Sequence, residues 1–319
     1  VQAARWYGSP VLIIIELLIN GISIYMKLAM INFDYRNNYN MLLNRVETRI
    51  AEVAASREPM ALYEPFSYIM SGGGKRIRPV LTMISCGAVG GAPETALNQA
   101  VAMEVLHNFT LAHDDIMDSS PVRRGKPTVH TKYNVPVGIL LGDVMVGHAY
   151  RLLPTCKEHK NSNEIITEFT TALVEVCVGQ AYDIEFDEKD DVSLDDYLMM
   201  IDKKTSKLLE ASAAIGGFTG NGSESQVAAL RSFAHNVGIA FQIQDDLLDI
   251  TAEQAEFGKR IGQDIIEGKK TYLILALKES VKDMPTKDML NVFIKNHGLG
   301  EEYIERFRTA FQENGVFEK

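Results

Sequence analysis

Two short acidic runs carry the clearest chemistry in this sequence. His113-Asp114-Asp115-Ile116-Met117-Asp118 and Asp245-Asp246-Leu247-Leu248-Asp249 repeat one DDxxD pattern. The first closes a stretch of helical periodicity that begins near Ala96, and the second closes another that begins near Gln226. Residues four apart on a helix lie one turn apart and about 40° around its axis, so Asp114 faces with Asp118, and Asp245 with Asp249. Like charges at that spacing destabilise a helix unless something compensates them. A hard divalent cation does so. Magnesium takes only one or two carboxylates per ion, beside water and phosphate oxygens, so two such clusters facing each other could hold a diphosphate through shared ions. One DDxxD alone would read as a helix cap or a solvated turn; the second instance changes that balance. A carboxylate-bridged di-iron bundle needs Glu-x-x-His pairs, which neither cluster supplies.

Cations of the kind that grip phosphate are also present. Gly72-Gly73-Gly74-Lys75-Arg76-Ile77-Arg78-Pro79 joins an amide-rich glycine turn to three basic side chains. It is not a P-loop, because the Gly-Lys-Ser/Thr ending and the preceding strand are missing. Arg123-Arg124-Gly125-Lys126 follows the first acidic motif, and arginine can clamp phosphate with two hydrogen bonds at once. Either stretch alone reads equally well as a charged surface loop.

The elements that must position these residues are helices. From Tyr39 onward apolar residues recur at helical spacing, as at Met41, Leu42, Val46 and Ile50, and strand-like alternation is hard to find. Glycine, proline and polar residues collect at 71–74, 87–93, 119–127, 157–163 and 216–224, which predicts breaks there. The fold class is therefore all-α: a bundle of antiparallel helices whose inner faces pack together or line a cavity. No linker and no fixed-period repeat divides residues 32–319, which read as one catalytic domain.

Composition removes several function classes. A net charge of −10, from 42 acidic against 32 basic side chains, argues against a nucleic-acid partner, whose phosphate backbone is held by basic surfaces. Cys86, Cys156 and Cys177 have no metal-site spacing and are too few for a disulfide framework. They read as small buried hydrophobes in a reducing, cytoplasmic compartment. Residues 1–31 form a separate apolar extension. Its 11–31 stretch is long enough to span a bilayer, but Glu16, Asn20 and Lys27 interrupt it. A membrane anchor, an amphipathic helix on the body and sequence upstream of a start at Met30 all remain open.

Taken in order, GGGKRIRP, HDDIMD followed by RRG, Lys203-Lys204-Thr205, FQIQDD and GKRIGQDIIEGKKT resemble the trans-type isoprenyl diphosphate synthase family, over about Met41 to Lys319. The resemblance implies an isoprenoid synthase-type bundle around a deep central cavity. It also implies a homodimer that condenses isopentenyl diphosphate with an allylic diphosphate. The allylic diphosphate would sit on several magnesium ions held by Asp114, Asp118 and Asp245, with Asp115, Asp246 and Asp249 in support. Arg123, Lys204 and Lys259 would neutralise it. Lys75, Arg78, His107 and Arg124 would seat isopentenyl diphosphate, and Thr205 and Gln242 would line the reaction centre. Outside that frame, His107 would read as a packed core histidine.

Product length would depend on what blocks the cavity below the first motif. Phe109 lies five residues before Asp114, roughly 7.5 Å along a helix. A lone aromatic there, with Thr110 rather than a second ring beside it and Leu106 below, resembles the geranylgeranyl (C20) pattern. Plain core packing remains open for Phe109, as do farnesyl or longer products. Compared with the family, the chain is expected to be short at its C-terminus, after Gln312 to Lys319. That keeps a regulatory, non-catalytic subunit as an alternative. A class I terpene cyclase, the other rival, would replace the second DDxxD by an Asn/Ser/Glu-type motif.

Overall fold

Helical periodicity becomes helices almost throughout the computed structural model, which describes residues 35–55, 57–154, 159–251 and 261–318. The elements in order are α1 (Tyr35–Val53), α2 (Met60–Met70), α3 (Ile77–Ala88), α4 (Leu97–Met117), α5 (Val129–Lys132), α6 (Val135–Arg151) and α7 (Ser162–Glu188). They continue with α8 (Leu194–Ile201), α9 (Lys207–Thr219), α10 (Glu224–Thr251), α11 (Gln263–Glu267), α12 (Tyr272–Ser280), α13 (Met284–Asn296) and α14 (Ile304–Glu313). The apolar stripe of α1 buries Leu42, Val46 and Ile50 as its spacing requires, while Met41 points to solvent. The expectation of no strands needs one small correction: Val122–Arg123 pairs antiparallel with Lys126–Pro127. A two-residue strand is too short to leave a periodic signature.

At the centre stands α9, which packs against α3, α4, α7 and α10. Its sequence explains how it can have so many neighbours. Ser212, Ala213, Ala214 and Gly216 are small and fully enclosed, so the surrounding backbones approach closely. The break expected at 216–224 falls in its second half: α9 runs through Gly216 and Gly217 to Thr219, and α10 starts at Glu224. Gly216 is a contact residue, because a Cβ on it would lie 2.1 Å from the carbonyl oxygen of Thr82 in α3.

Two apolar cores flank the site. The larger joins α1 to α4 with α6, α7 and α9 and includes Phe66, Met83, Leu106, Leu141, Met145 and Phe169. The second gathers the end of α10 with α11 to α14 around Phe293, Phe307 and Phe311. α10 enters the second core through Leu247 and Ile250, and along its length it packs against α9. The cysteine expectation is corrected at one position: Cys86 is buried, but Cys177 is exposed on α7. Cys156, like residues 1–31, lies outside the described residues.

A glycine-to-alanine change inside a helix normally gains about 0.5–1 kcal/mol. At Gly216 the sign should reverse: Gly216→Ala is expected to cost about 1–3 kcal/mol by overpacking against Thr82. Denaturant unfolding of the two proteins measures this difference.

Candidate active site

Both acidic motifs sit at the C-terminal ends of their helices, α4 and α10. That is the negative end of the helix dipole, where carboxylates are least favoured. Each motif therefore spends some of its acids on anchors. Asp115 is buried and accepts a 2.7 Å charged hydrogen bond from Arg123 Nε. Asp246 is buried and accepts from Gln242 Nε2 at 3.1 Å, from the Tyr272 amide at 3.1 Å and from the Tyr197 hydroxyl. Asp249 accepts from the amides of Gln263 and Asp264, each at 3.2 Å, and so caps the start of α11. These anchors could not be read from the pattern, because Arg123 apart, their donors are backbone amides or residues of no distinctive spacing. Asp249 is thus engaged at the start of α11. Asp118 and Asp245 are exposed and Asp114 is half-buried.

Electrostatics mark the same spot. Burial pushes the Asp114 carboxyl up to about 6, opposed by Lys204 and reinforced by Asp118. Burial likewise raises Asp246 to about 6 against its three donors. Asp264 is raised well above the carboxylate range by burial, then by Asp249 and Asp246. Lys269 responds to the same field: burial alone would lower it, yet Asp183, Asp118 and Asp187 together hold it above its ordinary value.

Beside Asp246 and Asp264 lies a cavity of about 140 Å³ lined also by Asp183, Tyr197, Lys204, Thr205, Gln242 and Lys269, among others. Lys204 and Thr205 reach it from a π-helical turn, Asp202–Ser206, set between α8 and α9. Such turns often occur at functional sites. Gly179 of α7 makes room for it, since a Cβ there would lie 2.4 Å from the Lys204 amide nitrogen. Lys204 Nζ is 2.5 Å from Asp183, and Thr205 Oγ1 donates to Gln242 Oε1 at 3.1 Å. Gln242 in turn donates to Asp246. Sequence reasoning missed Asp183, Tyr197, Asp264 and Lys269, although the last two lie within GQDIIEGKKT. Lys259 falls in 252–260, outside the described residues.

A second, cationic cluster lies where the glycine turn meets α3 and α4. Arg76 adopts a left-handed φ of 46° and its side chain is structural: it binds Glu47 at 2.8 Å, Glu104 at 2.7 Å and the Met70 carbonyl at 2.6 Å. Arg78 is different. Its Nη1 is 3.4 Å from His107 Nε2, and its buried Nε has no hydrogen-bond partner among the described residues. Because a guanidinium only donates, His107 Nε2 must be the acceptor, and the imidazole is neutral. Burial, then Arg78 and Arg124, push His107 well below its usual range. Burial lowers Arg78 to about 10, with Glu104 opposing and Arg124 adding to the shift. Arg124 bends back from the small hairpin to donate to the Gly73 carbonyl, and Lys75 is exposed beside it. An orphaned buried donor between two mutually repelling guanidinium groups and a neutral imidazole could seat an anion.

The structure thus brings the two acidic motifs, Arg123, Lys204, Thr205 and Gln242 to one region, and Lys75, Arg78, His107 and Arg124 to another. Phe109, Thr110 and Leu106 are all buried on α4 below the first motif, with Thr110 Oγ1 donating to the His107 carbonyl at 2.8 Å. The motif acids offer oxygen donors only, which suits a hard divalent cation. Among the described residues, the trio whose ligand atoms lie within 4.8 Å of one another is instead Asp202, Glu210 and His235. Lys207 already fills it, 2.9 Å from Glu210 and 3.3 Å from Asp202.

Fold and site together define an all-helical isoprenyl diphosphate synthase. Residues 59–309 match the family model described as Polyprenyl synthetase, and the chain belongs to that family. It is 39% identical over 271 residues to a geranylgeranyl diphosphate synthase of Sulfolobus acidocaldarius, covering 84% of this chain and 82% of that one. It is 41% identical over 244 residues to a short chain isoprenyl diphosphate synthase of Methanocaldococcus jannaschii, covering 76% and 74%. Its fold superposes on the crystal structure of a geranylgeranyl pyrophosphate synthetase from Pyrococcus horikoshii with a TM-score of 0.81 at 35% identity, covering 90% and 88%. The family match sets the terpene cyclase alternative aside.

The raised Asp114 carboxyl gives a pH-dependent prediction. Its folded form holds a proton more tightly than the unfolded chain, whose Asp titrates at about 3.9. The stability it contributes is therefore present below about pH 4 and is lost as pH rises through about 6. In chelator, Asp114→Asn should match the parent near pH 4 and exceed it by on the order of 1 kcal/mol at pH 8, after allowance for solvent screening. Thermal unfolding across that range measures it; a pH-independent difference would contradict the assignment.

Proposed function

We propose that this chain catalyses the magnesium-dependent, head-to-tail condensation of isopentenyl diphosphate with an allylic diphosphate, giving an all-trans prenyl diphosphate, chiefly geranylgeranyl diphosphate (C20). The observation that carries this reading is the pairing of two unlike phosphate seats: a crowded carboxylate rim and, apart from it, a cationic cluster with a buried, orphaned Arg78 Nε.

Asp114, Asp118 and Asp245 would hold magnesium at the rim, with Asp115, Asp246 and Asp249 fixing the backbone and helix ends that carry them. When bound, the metal supplies Lewis-acid neutralisation of a departing diphosphate. Arg123 and Lys204, with Lys259 from the sequence motif, bind the same diphosphate and stabilise its growing charge as the allylic carbon–oxygen bond breaks. For Lys204 this means exchanging Asp183 for phosphate oxygen. Arg78, His107, Arg124 and Lys75 hold isopentenyl diphosphate so that its double bond meets the allylic cation. The Thr205–Gln242 pair presents polar oxygen to that positive charge. Among the described residues no side chain of the site stands out as a dedicated base, and the proton would leave to the released diphosphate. Buried Leu, Ile and Met walls keep out water that would quench the cation.

The C20 length is the one that the names of archaeal relatives support, and Phe109 would be the floor that stops growth there. A homodimer is supported by apolar side chains that α6 and α7 leave exposed: Val135, Ile139 and Leu140 on one, Val174, Val178 and Ile184 on the other. Among the described residues no helix is long and apolar enough to cross a membrane; the anchor expectation concerns residues 11–31, outside them.

The test is a product assay by mass spectrometry with isopentenyl diphosphate and, separately, dimethylallyl, geranyl and farnesyl diphosphate, with magnesium or chelator. A chelator-sensitive linear C20 diphosphate is expected. No product from any starter would instead favour the regulatory-subunit alternative. Asp114→Ala and Asp245→Ala are each expected to lower kcat by on the order of a hundredfold or more while the protein stays folded. Phe109→Ala should lengthen the main product; an unchanged length would place the floor elsewhere.

A further inference from the structure

His113 stands next to Asp114 and one turn above Phe109, on the face of α4 that meets α6. Its ring packs edge-on against the Phe109 ring, centroids 4.8 Å apart at 66°. Across the helix pair, His113 Nε2 lies 3.2 Å from the carbonyl oxygen of Ile139, which makes that nitrogen the donor. The ring also fills a notch cut into α6. A Cβ on Gly142 would lie 2.1 Å from His113 Nε2 and 2.6 Å from Cδ2. Three independent contacts, a stacked ring, a hydrogen bond and a glycine notch, thus fix one rotamer of His113.

We propose that His113, seated in the Gly142 notch, is a positioning residue for product length: it braces the Phe109 ring and so holds the floor of the cavity at one height. A phenyl ring on a helix can turn about χ1 and χ2. The side chain four residues later is the one placed to stop it. The proposal rests on the reading of Phe109 as that floor. It adds that the floor's height is set by a contact between α4 and α6, not by the size of residue 109 alone. It also gives a role to the histidine of the HDDIMD run.

The test starts from farnesyl diphosphate, isopentenyl diphosphate and magnesium, and reads the ratio of C25 to C20 product at matched conversion. A disturbance of neighbouring Asp114 would change rate but not this ratio. His113→Ala and His113→Gln, the second keeping a donor for Ile139 but losing the ring, are both expected to raise the ratio about two- to tenfold, the size of one aromatic pair's contribution. Gly142→Ala should do the same by ejecting the ring, and remains a test should either His113 variant fold poorly. In a Phe109→Ala background, His113→Ala should add nothing further. If Phe109→Ala itself leaves length unchanged, the floor reading fails. If Phe109→Ala lengthens the product while the His113 and Gly142 variants keep the parent ratio, the brace is overturned and the floor stands.

Discussion

Carboxylates crowded at the negative ends of two helices, beside a half-enclosed cavity, repel one another and the dipoles beneath them. The rest of the molecule is arranged to sustain that repulsion, which on the proposed reading a multivalent cation and a polyanion relieve. Asp115, Asp246 and Asp249 give up their lone pairs to Arg123, to Tyr197, Gln242 and the Tyr272 amide, and to the first amides of α11. Each of these bonds fixes the helix end that carries the remaining acids. The α9 hub supports the same arrangement from below, because only a helix with small residues such as Gly216 lets four neighbours approach it closely.

The opposite charge is kept apart and is likewise left uncompensated. Arg76 holds the nearby carboxylates of Glu47 and Glu104 in a structural knot, so Arg78 and Arg124 have no carboxylate ion pair of their own among the described residues, although Glu104 still acts on both from a distance. Removing one partner of such a buried pair costs far more than the pair contributes, which makes Arg76 a support of the seat and not a ligand in it. On the proposed reading, two diphosphates of like charge would occupy one small region, one neutralised through metal and the other by side chains alone.

Much of this was legible in the sequence. Acid pairs at i and i+4, basic clusters beside glycine, and unbroken helical periodicity are local signals, and each survives into the structure. What stayed hidden depends on contacts between distant segments. Gly216 reads as a breaker until Thr82 is seen against it. Cys177 reads as core, yet it lies on the exposed apolar face of α7. The π-helical turn that delivers Lys204 and Thr205 has no composition of its own; it is imposed by Gly179 and the helices around it. Asp183, Asp264 and Lys269 are ordinary helix or turn residues until folding gathers them around one cavity.

The central claim is the division between a metal-dependent seat and a metal-independent one. It is tested most directly by calorimetric titration of the protein with isopentenyl diphosphate and with a non-hydrolysable allylic diphosphate analogue, each in magnesium and in chelator. Isopentenyl diphosphate should bind in both conditions and lose that binding in Arg78→Met, while the allylic analogue should bind only with magnesium. Loss of both ligands in chelator, or binding of both without metal, would contradict the account.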